Sequence, residues 1–184
     1  MGAINLQPNL ADNGISLRPL AAADWAELYA VADDPLIWAG HPAHDRWQEP
    51  VFRAFFDQAL ASGGAMVAID TASGALIGSS RYDLERASPG EVEIGWTFLS
   101  RRYWGGTTNA AIKALMIAHA LTMFDRVIFL VGETNIRSRR AMEKIGGVLT
   151  DRCFVTNMAG TPVNHVIYAI DRDSFNSGPL AVTP

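Results

Sequence analysis

The stretch EIGWTFLSRRYWGGTTNAAIKALM, residues 93–116, decides the fold because it joins a strand pattern to a helix pattern through a glycine-rich loop. Glu91–Leu99 is predicted to be the strand, and the apolar spacing after Gly105 and Gly106 predicts a helix that ends near Phe124. A strand followed at once by a helix is the opening half of a β-α-β unit.

The next stretch, RVIFLV at residues 126–131, is a near-continuous run of β-branched and other apolar residues. Such a run is typical of a strand that is buried on both faces. A short helix over residues 138–145 follows, and Gly146 and Gly147 end it. Together with the preceding strand and helix, these elements predict a parallel β-α-β-α unit in the middle of a sheet.

The remaining segments predict antiparallel neighbours for this unit. Two strands joined by the turn sequence DTASG precede residue 91, and two strands around MAGTP end the fold. The predicted strands are 15–20, 65–69, 75–84, 148–155 and 163–171, and the predicted early helices are 25–32 and 49–61. We therefore expect the α/β (α+β) class, with a mixed central sheet that starts as an antiparallel N-terminal meander and continues as the parallel unit.

Length and composition favour one domain. The chain has 184 residues, of which 49% are hydrophobic, and no Pro/Gly/Ser-rich linker divides it. The ends lack a helix or strand period, so we expect a single domain over 14–175, between a loose segment at 1–13 and a loose tail at 176–184.

Charge and hydropathy exclude several function classes. The formal net charge of −4 argues against nucleic acid as a partner, because such proteins usually show a dominant basic face. No apolar run approaches the ~18 residues that a membrane span needs, and the N-terminus lacks the pattern of a secretory signal. The single Cys153 cannot form an intramolecular disulfide. We expect a cytoplasmic protein with no membrane partner.

Two predicted helices begin with basic instead of acidic residues. Helix N-termini carry a partial positive charge that favours anions by about 0.3–1 kcal/mol each. The first helix follows Arg101 and Arg102 and opens GGTTNAAIK, where glycines allow backbone N–H groups to close around a phosphate. The second opens NIRSRR, with three arginines at 137, 139 and 140. One polyanionic ligand that spans both helix starts explains them; the alternative is a solvated face paired with Glu133, Glu143 or Asp151.

Residues 93–116 and 126–147, at their mutual spacing, resemble the GCN5-related N-acetyltransferase (GNAT) superfamily, in the branch similar to ribosomal-protein N-acetyltransferases. The resemblance covers roughly residues 15–175. It implies acetyl-CoA as co-substrate and transfer of the acetyl group to a primary amine, either a protein N-terminus or a small-molecule amine, in a ternary complex. The family's loop pattern fits Arg102 and Gly105, with Thr107 in place of the usual last Gly or Ala.

The resemblance also implies a set of cofactor-binding residues along the strand end, the loop and the second helix start. These are Trp96, Thr97, Phe98, Arg101, Arg102, Tyr103, Trp104, Gly105, Gly106, Thr107, Thr108, Asn109, Asn135 and Arg139.

Two catalytic residues are predicted. Glu93 is the expected base that removes a proton from the amine, directly or through water, and the alternative is a structural strand residue. Many members of the family carry a Tyr that protonates the leaving thiolate, but here Met142 occupies that position. Ser138 or a bound water is then the expected donor. If neither serves, the chain is a catalytically degenerate module that binds CoA without turnover.

The acceptor site is expected at the connection between the first two helices. The predicted substrate-binding residues are Trp38, His41, His44 and Arg81. His41 and His44 form an HxxH pattern, but no third ligand has a recognisable spacing, so no metal is expected. Similar proteins are commonly dimers, which makes a homodimer one expectation.

Overall fold

The computed structural model describes residues 3–158 and 160–181, and its centre is an eight-stranded sheet in the order β1-β2-β3-β4-β5-β6-β8-β7. The strands are β1 (Leu10–Asp12), β2 (Ile15–Pro19), β3 (Ala65–Asp70), β4 (Leu76–Asp83), β5 (Glu91–Leu99), β6 (Arg126–Gly132), β7 (Val148–Met158) and β8 (Thr161–Asp171). The helices are α1 (Trp25–Ala32), α2 (Pro35–Trp38), α3 (Glu49–Ala61), α4 (Thr108–Ala120), α5 (Ile136–Lys144) and α6 (Arg172–Ser177).

The sheet is antiparallel except between β5 and β6, which are parallel and joined by the crossover helix α4. The predicted mixed sheet is therefore confirmed. The strand β8 lies between β6 and β7, so the final hairpin extends the sheet on the far side of β6. This order places the ends of β5 and β6 near the middle of the sheet, beside the N-termini of α4 and α5.

Two apolar clusters cover the two faces of the sheet. On one face Phe52 and Phe56 of α3 pack with Leu28, Val67 and Phe98. On the other face α4 contributes its buried apolar side to the strands; the cluster there includes Tyr82, Ile94, Ile112, Met116 and Val127. The helices before β3 and the helices after β5 therefore cover opposite faces, and β5 has buried side chains in both clusters.

The described residues near each end, 3–13 and 176–181, have more structure than their lack of a sequence period indicated. The strand β1 pairs with β2 around Asn13 and Gly14, whose φ angles are +49° and +78°. Leu6, Leu10 and Leu180 are half-buried against the large cluster under α4. A three-residue strand is too short for a recognisable period, which is why the pattern of residues 1–13 did not reveal it.

Two helix boundaries also differ from expectation, and a capping side chain explains each. The helix α5 begins at Ile136, before the expected residue 138, because the Asn135 side chain accepts a hydrogen bond from the Ser138 N–H. The connection after α1 contains the short helix α2, because Asp34 accepts from the Leu36 N–H and Pro35 starts the helix.

Candidate functional site

A cleft opens in the sheet because β5 and β6 pair over only part of their length. Their register joins Glu91, Val92 and Glu93 to residues 126–128 and then stops. Beyond that point β5 continues to Leu99 and β6 to Gly132 without pairing to each other. Backbone N–H and C=O groups on this side of β5 are therefore available to a ligand.

A bulge interrupts the regular pairing of β5 with β4. The register against β4 shifts between Ser79 and Arg81, and Trp96 takes a φ of +52°. Such a φ is strained for a large side chain and needs support from its surroundings. The Arg81 and Arg86 guanidinium carbons lie 3.4 and 4.6 Å from the centroid of the Trp96 ring. Two cation–π contacts therefore support the strained Trp96 at the bulge.

The cleft encloses a cavity of about 760 Å³, a size that suits a large ligand. It runs from α2 and the following loop, past β5 and β6, to the N-termini of α4 and α5. The predicted site residues that line it are Trp38, His41, Glu93, Trp96, Thr97, Phe98, Tyr103, Trp104, Gly105, Gly106, Asn109, Asn135 and Ser138. Three separate stretches of sequence thus meet in one cavity.

The loop before α4 has the features of an anion site. The backbone N–H groups of residues 105–110 donate to no acceptor within the described chain. Gly105 has a φ of +75° and open space where a Cβ would stand. The helix has no acidic residue in its first turn and Thr107 makes no side-chain cap. A phosphate group would satisfy these donors and the positive end of the helix.

The start of α5 adds basic side chains to the same cavity. Arg140 lines it and makes neither a hydrogen bond nor an ion pair with any described residue. Arg137 donates to the Ile37 carbonyl at 3.0 Å and lies 4.2 Å from the Trp104 ring, and burial lowers its pKa. No ion pair of Arg137 or Arg140 with Glu133, Glu143 or Asp151 forms in the described chain, so the solvated-face alternative lacks its acidic partners.

Glu93 lies at the point where β5 and β6 part, and it is 1% exposed. Arg86 holds both carboxylate oxygens, with Nε–Oε2 and Nη2–Oε1 distances of 2.9 and 2.6 Å. Burial raises the pKa of Glu93 to about 7, and the charge of Arg86 only partly opposes that shift. A carboxylate with a pKa near neutrality can accept a proton from an amine and release it again.

Several predicted residues lie outside the lining of the cavity. Arg101 pairs with Asp34 on the outer surface. Arg139 points away, toward the Tyr168 hydroxyl and the Glu133 carbonyl, because successive residues of a helix face different directions. The others outside are His44, which is exposed, Arg81, which stacks under Trp96, and Arg102, Thr107 and Thr108 of the loop.

Sequence reasoning missed a buried lysine. Lys113 of α4 is 2% exposed, lines the cavity and donates to Thr97 Oγ1 at 2.6 Å and to Ser80 Oγ at 3.4 Å. No carboxylate pairs with it in the described residues, and burial lowers its pKa to about 7. A single cation inside the apolar stretch AAIKALMIA was the signal available in the sequence.

Sequence reasoning also missed Arg86, which lines the cavity from the loop before β5. Nothing in its local sequence distinguishes it from a surface arginine, because long-range packing alone brings it to the cavity. Arg46 lines the cavity too, from the connection where the acceptor site was expected.

His41 and His44 are the pair whose HxxH spacing raised the question of a metal. Among the described residues, no group of three His, Cys, Asp or Glu side chains has a geometry that could hold a metal ion. His41 Nδ1 instead accepts from the Ala43 N–H at 2.9 Å, and burial together with the nearby Arg46 lowers the His41 pKa to about 3. In the same part of the chain, no helix is long and apolar enough to cross a bilayer.

Comparison with known proteins agrees with this geometry. A family model described as an acetyltransferase (GNAT) domain matches residues 15–148. No curated protein matches the sequence.

Solved structures show the same fold. A GCN5-related N-acetyltransferase from Brucella melitensis aligns with a TM-score of 0.78 and 19% identity, over 95% of this chain and 82% of that chain. Mycobacterium smegmatis RimJ in complex with CoA-disulfide gives 0.68 and 15%, over 94% and 90%. The ribosomal-protein-S5-alanine acetyltransferase from Vibrio fischeri gives 0.61 and 14%, over 92% and 99%. The chain belongs to the GNAT family, whose members transfer acetyl groups from acetyl-CoA.

Proposed function

We propose that this protein transfers an acetyl group from acetyl-CoA to a primary amine by direct attack in a ternary complex. The observation that carries the proposal is the placement of two different sites in one cavity. Free backbone N–H groups stand at one end of the cavity, and the buried Glu93 carboxylate stands where the strands part. The first site suits a phosphate-bearing donor and the second suits the reacting amine.

The residues present fit acetyl-CoA. The N–H groups of residues 105–110 and the basic side chains of Arg140 and Lys144 would hold its phosphates. The unpaired edge of β5 and the side chain of Asn135 would hold its amide groups. Asn135 is 5% exposed, and its carboxamide nitrogen has no partner among the described residues.

Glu93 is proposed as the base. An amine of pKa ~8–10 is mostly protonated at neutral pH, so its proton must leave before nitrogen can attack. The Glu93 carboxylate takes that proton, directly or through one water, and Arg86 stabilises the ionised form. The amine nitrogen then forms a bond to the acetyl carbon, and the bond from that carbon to sulfur breaks.

The departing thiolate needs a proton, and the usual donor position carries Met142, which is buried and lines the cavity. Ser138 lines the same cavity and remains the proposed donor, with water as the alternative. A thiol of pKa ~8.5 leaves readily, so a weak donor is sufficient for turnover.

A CoA-binding module without turnover is the second candidate. The observation in its favour is Met142, because a thioether cannot donate a proton. The buried Glu93 in the cavity, with a pKa near neutrality, favours the enzyme, since strongly perturbed pKa values cluster at functional sites.

Calorimetric titration with acetyl-CoA, combined with three variants and a rate assay, distinguishes the enzyme from the CoA-binding module without turnover. Gly105→Asp places a negative charge in the anion site, and Gly105→Asn is the matched control, because it has the same shape and similar tolerance of positive φ without the charge. Glu93→Gln removes the base and leaves the loop intact. Initial rates of thiol release are then measured with a panel of primary amines.

We expect wild type, Gly105→Asn and Glu93→Gln to bind acetyl-CoA, and Gly105→Asp to lose most of the affinity. We expect transfer to an amine by wild type and its loss in Glu93→Gln. Binding without transfer to any amine would identify the non-catalytic module. The absence of binding by wild type would overturn both candidates.

A further inference from the structure

The cavity lining has a marked excess of positive charge. Among the described residues that line it, the one carboxylate is Glu93, and the cations are Arg46, Arg86, Lys113, Arg137, Arg140 and Lys144. Most of these have an assigned partner or use. Arg86 pairs with Glu93, and Lys113 donates to two hydroxyls. Arg137, Arg140 and Lys144 of α5 lie beside the glycine-rich loop that precedes α4. Arg46 has neither an assigned partner among the described residues nor an assigned use.

Arg46 lies on an aromatic surface at the end of the cavity near α2. Its guanidinium carbon is 5.3 Å from the Trp38 ring centroid and 4.5 Å from the Phe55 ring centroid. Side-chain hydrogen bonds and ion pairs of Arg46 are absent from the described part of the chain. Burial lowers the pKa of Arg46 to about 10, which still leaves it charged at neutral pH.

Its charged neighbours leave Arg46 only partly compensated. Asp45 is adjacent in sequence and favours the charged form, but its carboxylate makes no ion pair with the Arg46 guanidinium. The charge of Arg81 lowers the pKa of Arg46. His41, which is near Arg46, stays neutral because burial lowers the His41 pKa to about 3. The guanidinium keeps its planar set of donors free for a ligand, and the two aromatic rings support one of its faces.

We infer that Arg46 binds a carboxylate of the acceptor, and therefore that the acceptor is an amine that carries a carboxylate, as free α-amino acids do. The inference rests on the proposed function, because it names the class of amine that would react at Glu93. A guanidinium and a carboxylate can form two parallel hydrogen bonds, which would orient the amine as well as hold it. Polyamines and other polycations would be repelled by the same residue.

The test compares acceptors with and without the α-carboxylate. Rates of acetyl-CoA consumption are measured with L-phenylalanine and L-methionine and with the α-carboxamide of each, over a pH range that allows for the lower amine pKa of the amides. Peptides with a free N-terminus, with and without an acidic second residue, distinguish a peptide carboxylate from a free amino acid. Spermidine serves as the polycation.

Two variants and one control accompany the acceptors. Arg46→Met keeps the length of the side chain without the charge, and Arg46→Lys keeps the charge without the planar fork. Arg53→Met is the control, since Arg53 also stacks on an aromatic ring, at 3.2 Å from Trp25, but lies outside the cavity lining. Thermal unfolding of each variant shows whether it is folded, and titration with acetyl-CoA shows whether the donor site is intact.

We expect wild type to prefer at least one carboxylate-bearing acceptor over its uncharged partner by about tenfold or more in kcat/KM, which corresponds to about 1.4 kcal/mol. Arg46→Met should abolish the preference while acetyl-CoA affinity stays within about twofold, and Arg46→Lys should keep part of it. Arg53→Met should behave as wild type.

Equal rates for acid and amide, a preference for spermidine, or loss of acetyl-CoA affinity in Arg46→Met would each overturn the inference and leave the proposed function standing. Failure of the proposed function differs, because no amine of any charge would then be acetylated. In that event titration of the CoA complex with N-acetyl amino acids and their amides still tests Arg46, since it needs no turnover. Equal binding of both would overturn the inference.

Discussion

Glu93 has an environment that serves two opposing needs. A position that is 1% exposed disfavours its charged form, and the two hydrogen bonds from Arg86 favour it. The balance leaves a pKa of about 7, which is well above the ordinary value of 4.5. The carboxylate is therefore sensitive to pH in the range where the protein would work.

The pH dependence of acetyl transfer should report this group. A base acts when it is deprotonated, so kcat/KM should rise with pH through about 7 and then level off. Glu93→Gln should lower kcat by about 10²–10⁴-fold and remove that limb of the profile. The check is a pH–rate profile of both proteins, and an unchanged limb in Glu93→Gln would assign the titration to another group.

Lys113 should lower the stability of the fold, because burial disfavours its charge and its hydrogen-bond partners among the described residues are two neutral hydroxyls. Its pKa falls from 10.5 to about 7 on folding, so the penalty is full below pH 7 and disappears as pH rises from 7 to 10.5. Lys113→Met should therefore raise the free energy of unfolding by about 2–4 kcal/mol at pH 6, and by much less at pH 10. Urea unfolding at both pH values measures this, with Lys144→Met as the control at an exposed lysine.

Glu93, Arg86 and Arg81 show which parts of the candidate site could be predicted from the sequence. Glu93 could be predicted to be a site residue because it lies on the strand that leads into the glycine-rich loop. Its partner Arg86 could not, since the contact depends on how the loop before β5 folds back. Arg81 was expected in the cleft, but the bulge at Trp96 changes which side chains of β4 and β5 meet, and it places Arg81 under the Trp96 ring.

At the scale of elements, β4 and β5 act as one unit around the bulge. Gly78 faces Leu99 across the pair, at the end of β5 where the chain enters the loop before α4. A Cβ at Gly78 would overlap the carbonyl oxygen of Phe98 and crowd the Leu99 side chain. The close approach of the two strands therefore depends on this glycine, and it fixes the direction in which β5 enters the loop.

Gly78→Ala should destabilise the fold by about 2–3 kcal/mol, because the neighbouring backbone has to move. Gly40→Ala is the matched control, since nothing lies within 4 Å of the position where its Cβ would stand. Thermal unfolding of both variants checks the prediction. A Gly78→Ala protein as stable as Gly40→Ala would mean that β4 and β5 can separate freely.

The order of elements could be predicted from periodicity, because β5, α4, β6 and α5 each have a pattern long enough to be recognised. The splay between β5 and β6 could not. It depends on the register stopping at Glu93, and the apolar run of β6 continues past that point without any change in sequence.

On the scale of the whole molecule, the cleft lies between the two halves of the sheet, which the short parallel pairing of β5 with β6 joins. Acetyl-CoA should stabilise the folded state by contacting both sides. At one hundred times the dissociation constant the gain is about 2.7 kcal/mol, which raises Tm by roughly 5–10 °C in a protein of this size. Differential scanning fluorimetry measures the shift, and Gly105→Asp should show little of it while Gly105→Asn keeps it.

The N–H groups of residues 105–110 have a further consequence for the history of such a protein. Every amino acid except proline carries this donor, so substitutions in the loop that preserve its course and add no negative charge would leave the proposed recognition of phosphate intact. The other end of the cavity is lined by side chains such as Arg46 and Trp38, which a single codon change can replace. On the proposed assignment of these two ends, the choice of acetyl donor would be robust to mutation, and the choice of acceptor would be free to diverge.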